Sequence, residues 1–528
     1  MSGTTSTQGQ GLARLAPLLP LLVLAALGGY VLWSQGFYLV DDSYITFRYA
    51  LNLAQGHGPV WNPGEPVEGY TNALWMLMLA PFALAGLDLV LPAALLSLAF
   101  ALGSVELLRR IGRRVWPARP KLALLAPLLL VTNPTFAYWS TMGMEGPAFV
   151  FWVLLASELL IRGRERPRRR WLAGVALSAA ALTRPEGALV AAVLLPVELF
   201  AGRGPFWRRL GPLVGPGAVV AAVVLAQLAF RLWYYGDWLP NTFYAKVVFG
   251  WITVERGAAH VGVFLLKGGF VVLPGLALLR RAEGQLWAYL GHGYALLAVY
   301  GLYLVLVGGD VPFWYRFYLP LLPLPLLGYA ALLARLGARL RAPLRVGLAL
   351  VVAVLPAAIV WPHAEARTIP FMRAGGVKIE HLNRFFFGPQ VPEQALVAAF
   401  NVGMLGYENS FRILDCWGLN NRHIARRSPL PGRPAWFGHE KRDLIYMLAQ
   451  RPDYIWIGRR GRPIPLPQYD ICWPTWFQPD MTIYRRRVPL SPAEMGAGMP
   501  PGMKRAFALP PGCAWPKPPS RPAAAAPR

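Results

Sequence analysis

The chain has 528 residues, 55% hydrophobic and only 15% charged, against about a quarter charged in an ordinary soluble domain. That balance excludes a wholly soluble protein. The net charge of +26 does not line one soluble face but falls in short clusters between apolar runs, which excludes nucleic acid as the natural partner and fits basic loops kept on the cytoplasmic side of a membrane.

Residues 1–10 are polar. The apolar run 15–33 is too long for a signal-peptide core and lacks a small-residue cleavage site, so it reads as an uncleaved first helix. Its far end leads into a first outer loop, 36–71, that begins with Asp41 and Asp42. The short apolar stretch 72–87 reads as an interfacial helix, because 89–108 leads directly into Arg109, Arg110, Arg113 and Arg114, which belong inside. Further spans are expected at 121–138, 146–161, 171–183, 187–201, 212–235, 257–279, 286–307, 317–334 and 346–361, about eleven in all. Basic clusters at 162–170, Arg208 and Arg209, Arg280 and Arg281, and 335–345 then all fall inside. The pair 171–183 and 187–201 is short for full crossings and could form two half-depth helices with Arg184-Pro185-Glu186-Gly187 at the apex.

After residue 361 the apolar runs stop. Short β-rich segments alternate with Gly and Pro turns over 362–508, predicting an α/β or β-rich domain outside the cytoplasm; from 509 to 528 Pro, Ala and charge dominate and disorder is expected. Three cysteines, Cys416, Cys472 and Cys513, allow at most one disulfide and show no zinc spacing. Of 52 basic residues only seven are Lys, a bias that suggests GC-rich codons and a bacterial source. The expected location is a bacterial cytoplasmic (inner) membrane, crossed many times.

The polar residues of the predicted outer loops converge on one face. Asp41 and Asp42, followed by an amphipathic stretch, set an anionic centre at headgroup depth, where a lipid-linked substrate presents its head; two solvated loop carboxylates are the alternative. Arg48, Arg184, Lys246 and Arg316 are the cations at that depth and suit a phosphate, although any one of them could instead snorkel. Arg231 and Lys267 lie in or near spans and are left without a role. Aromatic residues crowd the same loops, as an interfacial belt would and as sugar stacking would. No HExxH, Walker or GxSxG pattern occurs, which argues against a zinc peptidase, an ATP-driven pump and a serine esterase.

The segments 41–50 (DDSYITFRYA), 56–65 (GHGPVWNPGE) and 67–72 (VEGYTN) together resemble the first outer loop of the mycobacterial terminal β-(1→2)-arabinofuranosyltransferase family. LTRPEG at 182–187, GDWLPNTFYAK at 236–246, and Gly309-Asp310 with Arg316 resemble its later loops; Asn401-Val402-Gly403 to Asp415, Gly418-Leu419 and Ile424-Ala425-Arg426 are similar to its C-terminal domain. The resemblance implies an α-helical polytopic membrane protein, a glycosyltransferase of GT-C type that uses a polyprenyl-phosphate sugar donor and a glycan or glycoprotein acceptor in one inverting displacement. In that family the sugar is arabinofuranose from decaprenyl phosphate, added to cell-wall arabinan. Asp41 would then be the general base. Asp42 would orient the acceptor or, if a divalent cation is the cofactor, hold it. Arg184, Lys246, Arg316 and Arg48 would meet the donor phosphate. His57, Glu68, Tyr70, Asn72, Glu145, Glu186, Asn241, Tyr244 and Asp310 would contact substrate, though His57 in its Gly-His-Gly setting also reads as a turn residue. Trp417, Trp436 and Trp456 could give the C-terminal domain a sugar-stacking surface. A lipid-linked-sugar transporter or flippase is the rival reading, but it would place polar residues along a through-path and commonly shows an internal repeat; a membrane-anchored carbohydrate-binding protein is the third.

Overall fold

A computed structural model of the chain describes residues 16–338 apart from 249, 281, 283 and 310–314, single positions between 340 and 351, and 369–486 apart from 430–439, 459–465, 467 and 474–480. All but two positions of the span expected at 346–361, and the tail 509–528, Asp310, Trp436 and Cys513, lie outside the described residues, as do the side chains of Lys267 and Cys472.

The first two-thirds is helical. Three helices, Val90–Val115, Phe206–Tyr235 and Gly284–Val307, are long and apolar enough to cross a membrane, and Leu19–Ser34, Ala73–Leu84, Leu122–Val131 and Pro323–Gly337 are shorter apolar helices. Together they make a multi-pass membrane body. Pro167–Thr183 and Glu186–Ala201 are short, as expected, and meet at Arg184-Pro185. The close approach depends on Gly187, where a side-chain carbon would sit 2.3 Å from the backbone of Ala180 and Ala181. The stretch 121–138 is broken, not continuous: Pro134 cannot extend the helix ending at Val131, and the Asn133 side chain caps the next one by accepting from the Thr135 N–H.

Basic clusters and acidic loop residues occupy opposite ends of the same helices. Val90–Val115 ends in Arg113 and Arg114, Gly146–Arg162 starts beside Glu145 and ends in Arg162, and Phe206–Tyr235 starts at Arg208 and Arg209 and leads into the 236–246 loop. Exposed tryptophans mark both levels: Trp171 and Trp207 at the basic ends, Trp33, Trp233 and Trp238 at the other, as interfacial rings do.

Residues 369–486 add helices and a five-stranded sheet, β1 (Leu396–Ala399), β2 (Arg412–Asp415), β3 (Tyr454–Gly458), β4 (Tyr469–Trp473) and β5 (Met481–Arg486), in the order β2-β1-β3-β5-β4. β1 is parallel to β2 and β3, while β5 is antiparallel to β3 and β4. One face of the sheet shares a hydrophobic core with the first loop: Tyr44, Phe47 and Trp61 pack in one cluster with Phe386, Val397, Leu405, Ile413 and Trp456. Trp456 is therefore core, not a stacking surface, whereas Trp417 is half-buried and stacks edge-on against Phe400. Cys416 is a buried free thiol.

The expected amphipathic stretch is instead a helix, Asp41–Ala54, buried on every side from Ser43 to Ala50. Arg48 lies within it, 3% exposed. Its guanidinium donates to the carbonyls of Trp61 (2.8 Å), Gly406 (2.7 Å), Phe411 (3.0 Å) and Asn409 (3.5 Å) and to Asn62 Oδ1 (3.3 Å). Arg48 is thus a rivet between loop and sheet domain and is not among the residues that line the cavity described below. Arg48→Ala would strand several buried carbonyls, each costing about 1 to 3 kcal/mol, so the thermal midpoint of the detergent-solubilised protein should fall clearly. Arg48→Lys should recover little, since an ammonium cannot span this fan of acceptors; an unchanged midpoint in both would remove the rivet from the account.

Candidate active site

A cavity of about 400 Å³ opens among the loops at the helix ends opposite the Arg clusters. Among the described residues, Asp42, Glu145, Glu186, Arg184, Lys246 and Arg316 supply its charges, three of each sign, and Leu189, Leu239, Phe243, Val247, Tyr303 and Val307 are among its apolar lining. Five elements far apart in sequence thus deliver ionisable groups to one pocket.

The two adjacent carboxylates part company at the start of the Asp41–Ala54 helix. Asp42 lines the cavity, its side chain 39% exposed and Oδ2 3.2 Å from Arg316 Nη1. Asp41 does not line it. Its oxygens accept the backbone N–H groups of Gly403 (3.0 Å) and Met404 (2.9 Å), so it caps a short helix of the sheet domain. Gly403 is required there, because a side-chain carbon would fall 1.9 Å from the Asp41 carbonyl oxygen. Burial raises the Asp41 carboxyl to about 6, against the lowering effect of the two amides. That value would suit a general base, but reach decides first, and Asp41 is turned from the cavity.

Arg184 is answered by carboxylates on two sides. Its Nη1 is 2.6 Å from Glu145 Oε1, and its Nε and Nη2 are 3.3 Å from the two oxygens of Glu186. Glu145 also accepts from Asn72 Nδ2 at 2.9 Å, and Asn72 exchanges hydrogen bonds with Thr46. The Arg184 guanidinium lies 4.4 Å from the centre of the Phe317 ring. Arg316 is 9% exposed, lies 3.0 Å from Met144 Sδ and faces the rings of Trp139 and Phe317.

Of the other residues the sequence pointed to, Tyr70, Asn72, Glu145, Glu186 and Lys246 line the cavity. His57 sits in an exposed turn away from it. Glu68 is buried in an ion pair with Arg231, which finds its partner there. Asn241 is buried and donates to the carbonyls of Gly418 and Leu419, both at 2.8 Å; Tyr244, on the same short helix as Lys246, has its ring against Arg426. These three are framework and make no part of the lining. Sequence reasoning missed Thr46, Thr242, Tyr303, Phe317 and Leu419, all lining. Tyr303 and Phe317 had a signal, a polar aromatic at a span end and a ring beside Arg316; Leu419, reaching in from the sheet domain, had none.

Among the described residues no three His, Cys, Asp or Glu side chains come together as metal ligands, and each cavity carboxylate faces a guanidinium.

Replacing Arg184 by Ala would leave Glu145 and Glu186 buried beside each other without their cation. Breaking such a pair costs about 3 to 5 kcal/mol, so Arg184→Ala should unfold at clearly lower temperature, and Arg184→Ala with Glu145→Gln should be more stable than Arg184→Ala alone. The reverse order would show that the trio is not coupled.

Residues 376–491 match the family described as Domain of unknown function (DUF8728). The chain is 30% identical over 250 residues to the terminal β-(1→2)-arabinofuranosyltransferase of Mycobacterium tuberculosis, covering 44% of this chain and 39% of that protein. It is 28% identical over 330 residues to the enzyme of the same name from Corynebacterium glutamicum, covering 53% of this chain and 45% of that protein. The matches thus span less than half the length of either relative. In structure the chain is similar to ArnT from Cupriavidus metallidurans bound to undecaprenyl phosphate, with a TM-score of 0.58 at 13% identity, over 90% of this chain and 98% of that one. The chain therefore has the fold of that enzyme and is similar in sequence to terminal arabinofuranosyltransferases.

Proposed function

We propose that this protein is a membrane glycosyltransferase that moves a sugar, arabinofuranose or one like it, from a polyprenyl-phosphate donor to a cell-envelope glycan or glycoprotein acceptor on the outer face. The observation that carries the reading is that Asp42 stands in one cavity with Lys246 and Arg316, beside an apolar wall. The similarity to arabinofuranosyltransferases supports the sugar, and the undecaprenyl phosphate bound by the structurally similar ArnT supports the donor class.

In the step proposed, an acceptor hydroxyl oxygen bonds to the anomeric carbon while the bond from that carbon to the phosphate oxygen breaks. The leaving polyprenyl phosphate takes the electron pair, and Asp42 takes the hydroxyl proton. As the sugar acquires oxocarbenium character the attacking hydroxyl becomes acidic, so a carboxylate suffices as base. Lys246 and Arg316 face the charge growing on the phosphate. Arg184, already opposite two carboxylates, organises the cavity wall and is a weaker clamp. The apolar lining receives the first units of the donor lipid.

The outer-face assignment is supported by the placement of Arg-rich helix ends opposite the cavity. A periplasmic phosphatase fused after Ala364 should be active in a bacterial host; activity from a cytoplasmic reporter alone at that position would put the cavity on the wrong side.

Asp42→Asn should lower the initial rate of sugar transfer by roughly 10² to 10⁴ with donor binding retained. Asp41→Asn should act mainly through stability, because an amide can still accept one N–H but presents its own donor to the other. A dead Asp41→Asn that remains folded, beside an active Asp42→Asn, would return the base to Asp41.

A further inference from the structure

The segment that carries Lys246 is pinned from both sides. It leaves the membrane helix at Gly236, whose φ of 69° ends that helix in a left-handed cap, and Asp237 meets Arg422 Nη2 at 3.0 Å and also pairs with Arg426. Arg426 in turn lies 4.8 Å from the centre of the Tyr244 ring. Lys441 donates to the Tyr244 carbonyl at 2.5 Å and to the Ala425 carbonyl at 2.9 Å. Asn241 is tied to the first outer loop through Glu68 O, at 2.9 Å from its own N–H, and to the sheet domain through Gly418 and Leu419. Between these anchors, Leu239, Pro240, Thr242, Phe243 and Lys246 line the cavity.

The donors that act on this stretch from the sheet domain are cations that have no place in the cavity itself. Arg422 and Arg426 are more than a third exposed, and one such pair is worth little. Their convergence on one short segment is what matters, since a six-residue helix, Asn241–Lys246, has little stability of its own. We propose that the C-terminal domain acts as a clamp on residues 237–246 and sets the position of Lys246 at the cavity, so that Asp237, Arg422, Arg426 and Lys441 are positioning residues for the donor side of the reaction. This rests on the reading of the cavity given above. It assigns the domain a part in assembling the donor site, distinct from a role in gripping long acceptors.

The test uses the full chain in nanodiscs, with undecaprenyl phosphate as the probe. In Arg422→Ala/Arg426→Ala, backbone hydrogen exchange over 237–247 should speed up while exchange in β1 and β3 stays as in the parent. Binding of the probe should weaken by roughly tenfold to a hundredfold, as a displaced binding group does. Arg422→Lys/Arg426→Lys, which keeps both charges, should retain most of the protection. Lys246→Ala should weaken the probe without changing exchange. Unchanged exchange over 237–247 in the double alanine variant overturns the clamp. Faster exchange with undiminished binding, where Lys246→Ala does weaken binding, overturns the link between clamp and donor site. If Lys246→Ala binds the probe as the parent does, the phosphate role of Lys246 fails, while the exchange data still decide whether the clamp exists.

Discussion

Successive residues of an α-helix point about 100° apart, and at this helix start the two neighbouring carboxylates face different surroundings. Asp41 turns to the amides of Gly403 and Met404, and Asp42 turns to Arg316 and the cavity. Both stand in the first turn, where a helix stabilises negative charge. Once Asp41 is bound to the sheet domain, the orientation of the whole Asp41–Ala54 helix is settled, and with it the direction of Asp42. Arg48, two turns further on, closes the same joint from the other end. The membrane body and the C-terminal domain are for this reason one unit around a shared core, and the cavity is built at their junction.

Among the described residues the cavity holds equal numbers of positive and negative groups, yet they are not equivalent. Glu145 and Glu186 neutralise Arg184 at short range in a buried setting, where such a trio is rigid but spends its charge internally. Arg316 is shared with a half-exposed Asp42, and Lys246 sits on a segment held from outside the membrane body. A phosphate arriving with its lipid along the apolar lining would find its cations at the Lys246 and Arg316 side, and an acceptor hydroxyl would find its base beside them. Deprotonation and charge stabilisation are then done by different residues a few ångströms apart, as single-step glycosyl transfer needs.

Much of this was legible in the sequence. The apolar runs and Arg clusters located helices such as Val90–Val115, Gly146–Arg162 and Gly284–Val307, because crossing a bilayer constrains length and charge more tightly than folding in water does, whereas the runs expected at 121–138 and 257–279 are broken into shorter pieces. Arg184, Glu186, Lys246, Arg316 and Asp42 could be grouped because outer loops seldom carry so many charges. Sequence spacing could not separate Asp41 from Asp42, or see that Arg48 points at carbonyls from a domain more than 350 residues away. Nor could it see that Glu68, Asn241 and Tyr244 stand outside the cavity lining on other partners, since a polar residue in a membrane protein can be a ligand or a brace and only the partner decides. An Arg inside the aromatic stretch 44–49 was a signal for Arg48, since a helix buried all round must satisfy any charge it contains. Leu419 shows the limit most clearly, as no local pattern announces that a loop of the sheet domain will complete a cavity in the membrane body.

The most direct test of the account is chemical. Purified protein in lipid vesicles would be incubated with radiolabelled decaprenyl-phosphate arabinofuranose and an arabinan oligosaccharide, and free decaprenyl phosphate and labelled glycan would be measured together. The account predicts that both appear in equal amounts and that both depend on Asp42. Movement of intact labelled lipid between leaflets with no release of decaprenyl phosphate would contradict it and would make the protein a flippase.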